Sequence, residues 1–210
     1  MSGELTNAIA DLQENEALGM TQKRLDSGED PKTILDESRK GMEIVGKRFS
    51  DGEYFLPELI FSGEIFKQIA EMVKPKLKEE VKAESLGKCI IGTVAGDIHD
   101  IGKDIVVFML DVSGFEVYDL GIDVPAQAFI DKIKETNAPI VGLSGFLTLA
   151  FDSVKETVDA IKAAGLRDKV KIMIGGGQID EDIRKYSGAD AYGRDAMTGV
   201  SLAKQWLAEK

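Results

Sequence analysis

The sequence predicts two units of different class: a bundle of helices over residues 1–87, then an α/β domain with a doubly wound parallel sheet over residues 88–210. The first observation is the helical spacing of apolar residues as far as Gly87. The second is a series of short apolar runs after Gly87, most of which end in glycine. The third is that helical segments alternate with these runs, which is typical of a parallel sheet covered by helices on both faces.

The first half contains four predicted helices with short connections, which is the arrangement of a small bundle. The clearest start is at Pro31, because proline suits the first helical turn and Asp30 before it can cap the helix. The charged, apolar-poor stretch 74–87 is predicted to be a linker or a solvated helix end. The first predicted helix carries Leu5, Ile9 and Leu12 on one face, and the second runs from about Glu16 to Gly28. The third runs from Pro31 to about Asp51, and the fourth begins near Pro57.

The second half is predicted to be a Rossmann-like, flavodoxin-like domain with five parallel strands. In such sheets ligands bind beyond the carboxyl ends of the strands, so the residues that follow each strand are the candidates for a site. The predicted strands are 89–94, 115–121, 140–145, 170–176 and 189–191, and the predicted helices lie near 103–113, 125–137, 150–164 and 195–208.

Composition excludes several classes of function. The net charge is −11 and no basic run is present, so we expect no nucleic acid partner. Cysteine occurs once, at Cys89, which excludes an intramolecular disulfide and a cysteine-rich metal site. The first residues lack the apolar core of a signal peptide, and no stretch approaches the roughly 18 apolar residues that span a bilayer. We therefore expect a cytoplasmic protein with no membrane partner.

Histidine also occurs once, at His99, directly after the first predicted strand. Asp97 could accept the hydrogen bond that a metal-bound imidazole donates from its other nitrogen, and so could Asp100. Gly96 and Gly102 would let the backbone approach a bulky ligand. The residues alone leave two interpretations open, a loop histidine that makes an ordinary capping hydrogen bond and a metal ligand. A metal at His99 would need the macrocycle of a cofactor for its other ligands, because the chain lacks a clustered set of its own.

Three elements resemble the signature of cobalamin-binding domains of the methionine synthase type. They are Asp97-x-His99-x-x-Gly102, Ser144-x-Phe146 and Gly175-Gly176. Residues 103–143 separate the first element from the second, and residues 147–174 separate the second from the third, which is the spacing in that family. The first half resembles the helical cap of small corrinoid proteins, the N-terminal type of B12-binding domain, in Gly41-Met42, Val45-Gly46, Phe49 and residues 53–59.

The resemblance implies that the cofactor is cobalamin, as methylcobalamin or cob(I)alamin, with cobalt bound through His99. It also implies that Asp97 hydrogen-bonds His99 and relays its proton, and that Gly102 makes room for the nucleotide tail. Ser144 and Thr148 match hydroxyl positions that contact this tail, and glycines form the wall against it. The implied cofactor-binding residues are Asp97, Ile98, His99, Asp100, Ile101, Gly102, Ser144, Phe146, Thr148, Gly175, Gly176 and Gly177.

Two positions depart from the family pattern. Phe146 stands where the motif has leucine, so we expect the slot to be reshaped. Ala150 stands where methionine synthases have the serine that completes a His–Asp–Ser relay, which leaves the third member of the relay unassigned. In the helical half, Met42, Phe49 and Phe55 either face the upper side of the corrin or belong to the helical core.

By the same resemblance, the chain carries a methyl group on cobalt from a donor-specific methyltransferase to an acceptor methyltransferase that uses tetrahydrofolate or a thiol. It would be a non-catalytic subunit of a multi-component methyltransferase, served by a reductive activase. Methylamines, methanol, methoxylated aromatics and betaines are donors of such systems, and the sequence does not select among them. The alternatives are a cobalamin-dependent sensor or regulator, a subunit of an adenosylcobalamin isomerase, and a flavodoxin-like module that binds no corrin.

Overall fold

The computed structural model describes residues 3–76 and 85–209. The chain divides into two compact units, Met1–Glu84 and Ser85–Lys210. Within the described residues, no helix combines the length and the apolar composition needed to cross a membrane. The predicted fold class, a helical bundle followed by a five-stranded α/β domain, is confirmed.

The first unit contains four helices: α1 (Glu4–Ala10), α2 (Glu14–Asp26), α3 (Pro31–Ser50) and α4 (Leu56–Val73). As predicted, α3 begins at Pro31, and the side chain of Asp30 accepts a hydrogen bond from the Lys32 amide at 3.0 Å. The fully buried side chains of this unit include Leu5, Ile9, Ile34, Met42, Val45, Ile65, Ile69 and Val73.

The placement of Leu12 on the face of the first helix is wrong. Helix α1 ends at Ala10, and Leu12 has a left-handed backbone with φ of 59°. The Leu12 amide donates to Ile9 O and the Gln13 amide donates to Ala8 O, which is the hydrogen-bond pair of a Schellman ending. This ending closes α1 early and lets α2 begin at Glu14 rather than near Glu16.

The predicted linker over residues 74–87 is only partly described. Lys74–Lys76 form a short 3-10 turn after α4. The part of the prediction that falls on residues 77–84 lies outside the described residues.

The second unit is built on a parallel sheet of strand order β2-β1-β3-β4-β5, the order of flavodoxin-like folds. The sheet has a switch point beside β1, where the strand order reverses. Its strands are β1 (Lys88–Thr93), β2 (Glu116–Asp119), β3 (Ile140–Ser144), β4 (Lys171–Gly175) and β5 (Ala191–Gly193). Its helices are α5 (Ile101–Val112), α6 (Ala126–Thr136), α7 (Ala150–Ala163), α8 (Glu181–Ser187) and α9 (Ala196–Ala208).

Two elements of this unit differ from the predictions. Helix α8 was not predicted; it has seven residues and is capped by Asp180, whose side chain accepts from the amides of Asp182 and Ile183. The fifth strand begins at Ala191 rather than at residue 189. Before it, the Asp190 amide donates to Ile172 O, and Asp190 Oδ2 accepts from the Ile172 amide.

The core of the second unit lies where α6 and α7 pack on the sheet. Phe129 is fully buried above β1, and a Cβ at Gly92 would lie 2.8 Å from its ring, so a glycine is required there. Cys89 is buried in β1, and burial raises the pKa of its thiol to about 12. Trp206, the only tryptophan of the sequence, is 8% exposed in α9, so its fluorescence reports on the unfolding of this unit.

Candidate cofactor-binding site

The three sequence elements meet at the carboxyl edge of the sheet. Thr93, Ser144, Gly175 and Gly193 are register partners from strand to strand, so the ends of β1, β3, β4 and β5 form one row. Beyond this row, the Gly145 amide donates to Gly175 O at 3.0 Å. The segments after β1, β3 and β4 therefore lie side by side, as parallel strands require.

Asp97 is the centre of this edge. Its carboxylate is fully buried and accepts four hydrogen bonds. Oδ1 accepts from the His99 amide at 3.0 Å and from His99 Nδ1 at 2.6 Å. Oδ2 accepts from the amides of Phe146 at 2.6 Å and Leu147 at 3.1 Å. One side chain therefore holds the segment after β1 against the segment after β3.

The contacts of Asp97 define its charge and the tautomer of His99. Burial alone would raise the pKa of Asp97, but the hydrogen bonds from His99, Leu147 and Phe146 outweigh it and lower the pKa to about 2. An ionised carboxylate only accepts, so the proton of the imidazole lies on Nδ1. The Nε2 lone pair of the neutral ring is then available, and the side chain of His99 is 46% exposed.

We expect Asp97→Asn to lower the free energy of unfolding by about 2 kcal/mol at pH 7. The side-chain amide nitrogen of the asparagine would face N–H donors, and the charged carboxylate that accepts from them would be lost. The deficit should shrink as the pH falls from about 4 to about 2. The wild-type carboxylate has a depressed folded pKa, so its contribution is complete above the ordinary value of 3.8 and is lost as the pH falls towards 2. Urea unfolding of the cofactor-free chain, followed by Trp206 fluorescence, measures this difference. The control is Asp168→Asn at an exposed position. If Asp97→Asn lowered the free energy of unfolding equally at pH 7 and pH 3, the expectation would be contradicted.

The remaining predicted residues lie in the segments that follow β1, β3 and β4 at the same edge. Ile98 and Ile101 are exposed on either side of it, and Asp100 is the residue before α5. A Cβ at Gly102 would meet no heavy atom outside its own neighbourhood within 4 Å, so space is open there. Ser144 is half-buried at the end of β3, and Thr148 is exposed in the following segment. Phe146 is 45% exposed and contacts Gly177, while Gly175 is half-buried and Gly176 and Gly177 are exposed.

Ala150 has no hydroxyl to donate to Asp97, and backbone amides donate to this carboxylate instead. Ala150 is buried at the start of α7, close to the backbone of Gly145. The second oxygen of Asp97 is already satisfied by the amides of Phe146 and Leu147. The carboxylate therefore has a complete set of donors without a serine.

Two charged residues near the end of β2, Asp123 in the segment after it and Lys103 on α5, were not identified from the sequence. Asp123 has a left-handed backbone with φ of 52°; its amide donates to Asp97 O at 3.0 Å, and its Oδ1 accepts from the Gly96 amide at 2.7 Å. The buried ammonium of Lys103 lies 2.5 Å from Asp119 Oδ2 at the end of β2. The sequence signal for Asp119 and Asp123 was the run Asp-Leu-Gly-Ile-Asp over residues 119–123, at the end of the predicted strand that adjoins β1.

We expect Asp123→Ala to lower the free energy of unfolding by about 2 kcal/mol. The variant loses the acceptor for the Gly96 amide. It also places alanine in a left-handed backbone conformation, where its Cβ is unfavourable and no side-chain hydrogen bond compensates. Asp123→Gly loses only the carboxylate, so its deficit should be about half as large. Urea unfolding followed by Trp206 fluorescence tests both variants; a glycine variant as unstable as the alanine variant would rule out the contribution of backbone strain.

The open space and the exposed apolar side chains of this edge could accommodate a large, partly apolar ligand. Ile98 and Ile101, close to His99 in sequence, are exposed apolar side chains, and Leu149 in the segment after β3 is 86% exposed. Within residues 3–76 and 85–209 no group of three or more histidine, cysteine, aspartate or glutamate side chains could hold an ion. His99 can thus offer one protein ligand, and the other ligands of a metal would come with the cofactor. A helical unit followed by this sheet defines a two-unit α/β protein with a candidate cofactor site at the strand exits.

Comparison with known proteins identifies the family. Two models described as "B12 binding domain" match the chain, one over residues 2–74 and one over residues 87–201. Trimethylamine corrinoid protein 1 of Methanosarcina acetivorans is 39% identical over 203 residues, which cover 96% of this chain and 94% of that protein. The chain belongs to this family of B12-binding corrinoid proteins.

Two solved structures share the fold along nearly the whole chain. A cobalamin-binding protein from Desulfitobacterium hafniense DCB-2 superposes with a TM-score of 0.84 at 42% identity, covering 98% of both chains. A chain of the methanol:cobalamin methyltransferase complex MtaBC from Methanosarcina barkeri superposes with a TM-score of 0.83 at 26% identity, covering 98% of this chain and 79% of that one.

Proposed function

We propose that the chain binds cobalamin at the strand exits and carries a methyl group between two methyltransferases. The observation that supports this most directly is the state of His99, whose Nδ1 proton is held by a buried carboxylate while Nε2 remains available at the protein surface. The family supports the identity of the cofactor, because its members are corrinoid proteins. The similarity to a chain of a methyltransferase complex supports the partnership.

The residues divide the task of holding the cofactor. Bound cobalamin would supply a cobalt centre that can accept a methyl group and release it again. His99 would offer Nε2 to the cobalt, and Asp97 would keep the ring in one orientation with its proton on Nδ1. The proposed proton relay between His99 and Asp97 would run through this hydrogen bond.

The nucleotide tail would lie among the glycine and hydroxyl positions of the same edge. The open space at Gly102 admits it, Ser144 and Thr148 offer hydroxyls, and residues 175–177 provide a wall without side chains. Ile98 and Ile101 present apolar surface beside the ligand nitrogen. A mostly apolar cradle with a few placed polar groups is the usual design of a cofactor site.

The proposed partners are a donor-specific methyltransferase, an acceptor methyltransferase that uses tetrahydrofolate or a thiol, and a reductive activase. We propose a methylated amine as the donor class. The trimethylamine corrinoid protein is 39% identical to this chain, whereas the chain of the methanol complex is 26% identical. The donor itself would bind to the partner methyltransferase, so these identities bear on the donor class only through the partner that this chain fits.

The test is methyl uptake from an isotopically labelled donor. The chain loaded with cob(I)alamin is mixed with trimethylamine or methanol, with and without the methyltransferase that co-purifies with it. We expect label on the chain only with that enzyme present, and with the amine rather than methanol. Robust demethylation by the chain alone would contradict the carrier role, and uptake from methanol only would contradict the donor class.

A further inference from the structure

Phe146, the residue that departs from the family motif, lies against the imidazole of His99. The two ring centroids are 4.4 Å apart with an interplanar angle of 29°, which is a stacked arrangement. The same phenyl ring contacts the segment after β4, since a Cβ at Gly177 would lie 2.5 Å from Phe146 Cε2. The ring therefore lies against the segment after β4 although it is 45% exposed.

Residue 146 is tied to His99 in two independent ways. Its side chain stacks on the imidazole, and its amide donates to Asp97 Oδ2, while Asp97 Oδ1 accepts from His99 Nδ1. This hydrogen bond holds Nδ1 near Oδ1, but the imidazole can still turn through coupled rotations about its Cα–Cβ and Cβ–Cγ bonds. A phenyl ring on the face of the imidazole opposes this turn, so the stack and the hydrogen bond together determine the direction in which Nε2 points.

We propose that Phe146 is a positioning residue that presets the plane of the His99 imidazole and thereby favours the state in which His99 is bound to the cofactor. This rests on the proposed function, in which Nε2 is the ligand atom. Leucine at this position fills space but has no aromatic face to stack, so the effect is a property of the aromatic side chain. A ligand group that is ordered beforehand loses less freedom when it binds.

The first arm of the test uses the cofactor-free full chain with nitrogen-15 histidine. Only His99 contributes signals, because the chain has one histidine. We expect the carbon-bound protons of its ring to be shifted upfield in the wild type and in Phe146→Tyr, and to lose this ring-current shift in Phe146→Leu. The Nδ1-protonated tautomer should persist in all three, since each keeps the amide that donates to Asp97. Identical ring-proton shifts in wild type and Phe146→Leu would overturn the proposal.

The second arm uses the same variants loaded with cob(II)alamin. Electron paramagnetic resonance gives the ratio of histidine-bound to histidine-free cobalt. We expect Phe146→Leu to lower this ratio about 2- to 10-fold, the effect of losing one aromatic pair, and Phe146→Tyr to restore it. Lower stability with an unchanged ratio would show a structural role only and overturn the proposal. If the wild type itself shows no histidine coupling, the proposed ligand role of His99 fails, and the first arm still decides whether Phe146 orients the ring.

Discussion

Replacing His99 with alanine is expected to abolish all protein nitrogen coupling in the electron paramagnetic resonance spectrum of the chain loaded with cob(II)alamin. In the wild type, Asp97 accepts a hydrogen bond from Nδ1 of the half-exposed His99 side chain, which leaves Nε2 as the ring nitrogen that can bind cobalt. No other imidazole exists in the chain to replace it. Nitrogen-15 labelling of histidine should convert the triplet splitting of the wild type into a doublet, which assigns the ligand to His99 alone.

The same variant separates ligation from binding. We expect His99→Ala to retain part of its cobalamin affinity, because the open space at Gly102 and the wall at residues 175–177 do not depend on the imidazole. Asp97 keeps three of its four donors, so urea unfolding monitored at Trp206 should show a folded α/β unit. A wild-type splitting that stays a triplet after histidine labelling would disprove the assignment, because its nitrogen would then not belong to His99.

Gly176→Ala is expected to destabilise the α/β unit by at least about 3 kcal/mol. Gly176 has φ of 149°, a conformation that residues with a Cβ rarely adopt. An added Cβ would overlap the carbonyl oxygen of Gly145, which belongs to the backbone and has no flexible end that could move away. Strain and overpacking therefore add. The measurement is urea unfolding followed by the fluorescence of Trp206.

Gly175→Ala is the matched control for that variant. Its Cβ would lie 3.6 Å from Gly193 O, an ordinary contact, and its backbone is not left-handed. We expect its stability to stay within about 1 kcal/mol of the wild type. A Gly176→Ala protein as stable as Gly175→Ala would show that the segments after β3 and β4 can separate at little cost. If Gly175→Ala folds and binds cobalamin like the wild type, Gly175 is not part of the proposed wall.

Periodicity was sufficient to predict most of the fold. The apolar runs after Gly87 correspond to β1 through β4, and the start of α3 follows from Asp30 and Pro31. The end of α1 could not be predicted, because a Schellman ending normally uses glycine and here Leu12 adopts the left-handed conformation. Helix α8 was missed because seven residues give too few turns for a periodic signal.

The candidate site was predictable as a set of positions but not as a set of contacts. The spacing of the three elements names residues at strand ends, and parallel pairing brings those ends together. It cannot show that a phenyl ring at 146 stacks on His99, nor that Asp123 binds the Gly96 amide, since both contacts depend on loop conformations. The roles of these residues in cofactor binding stay predictions.

Three of the four donors to Asp97 are backbone amides, those of His99, Phe146 and Leu147. Every residue type except proline carries this group. Side chains at 146 and 147 can therefore change over evolutionary time while the anchor for the imidazole persists. The protein can vary the surroundings of its ligand through single substitutions without first rebuilding the means of holding it.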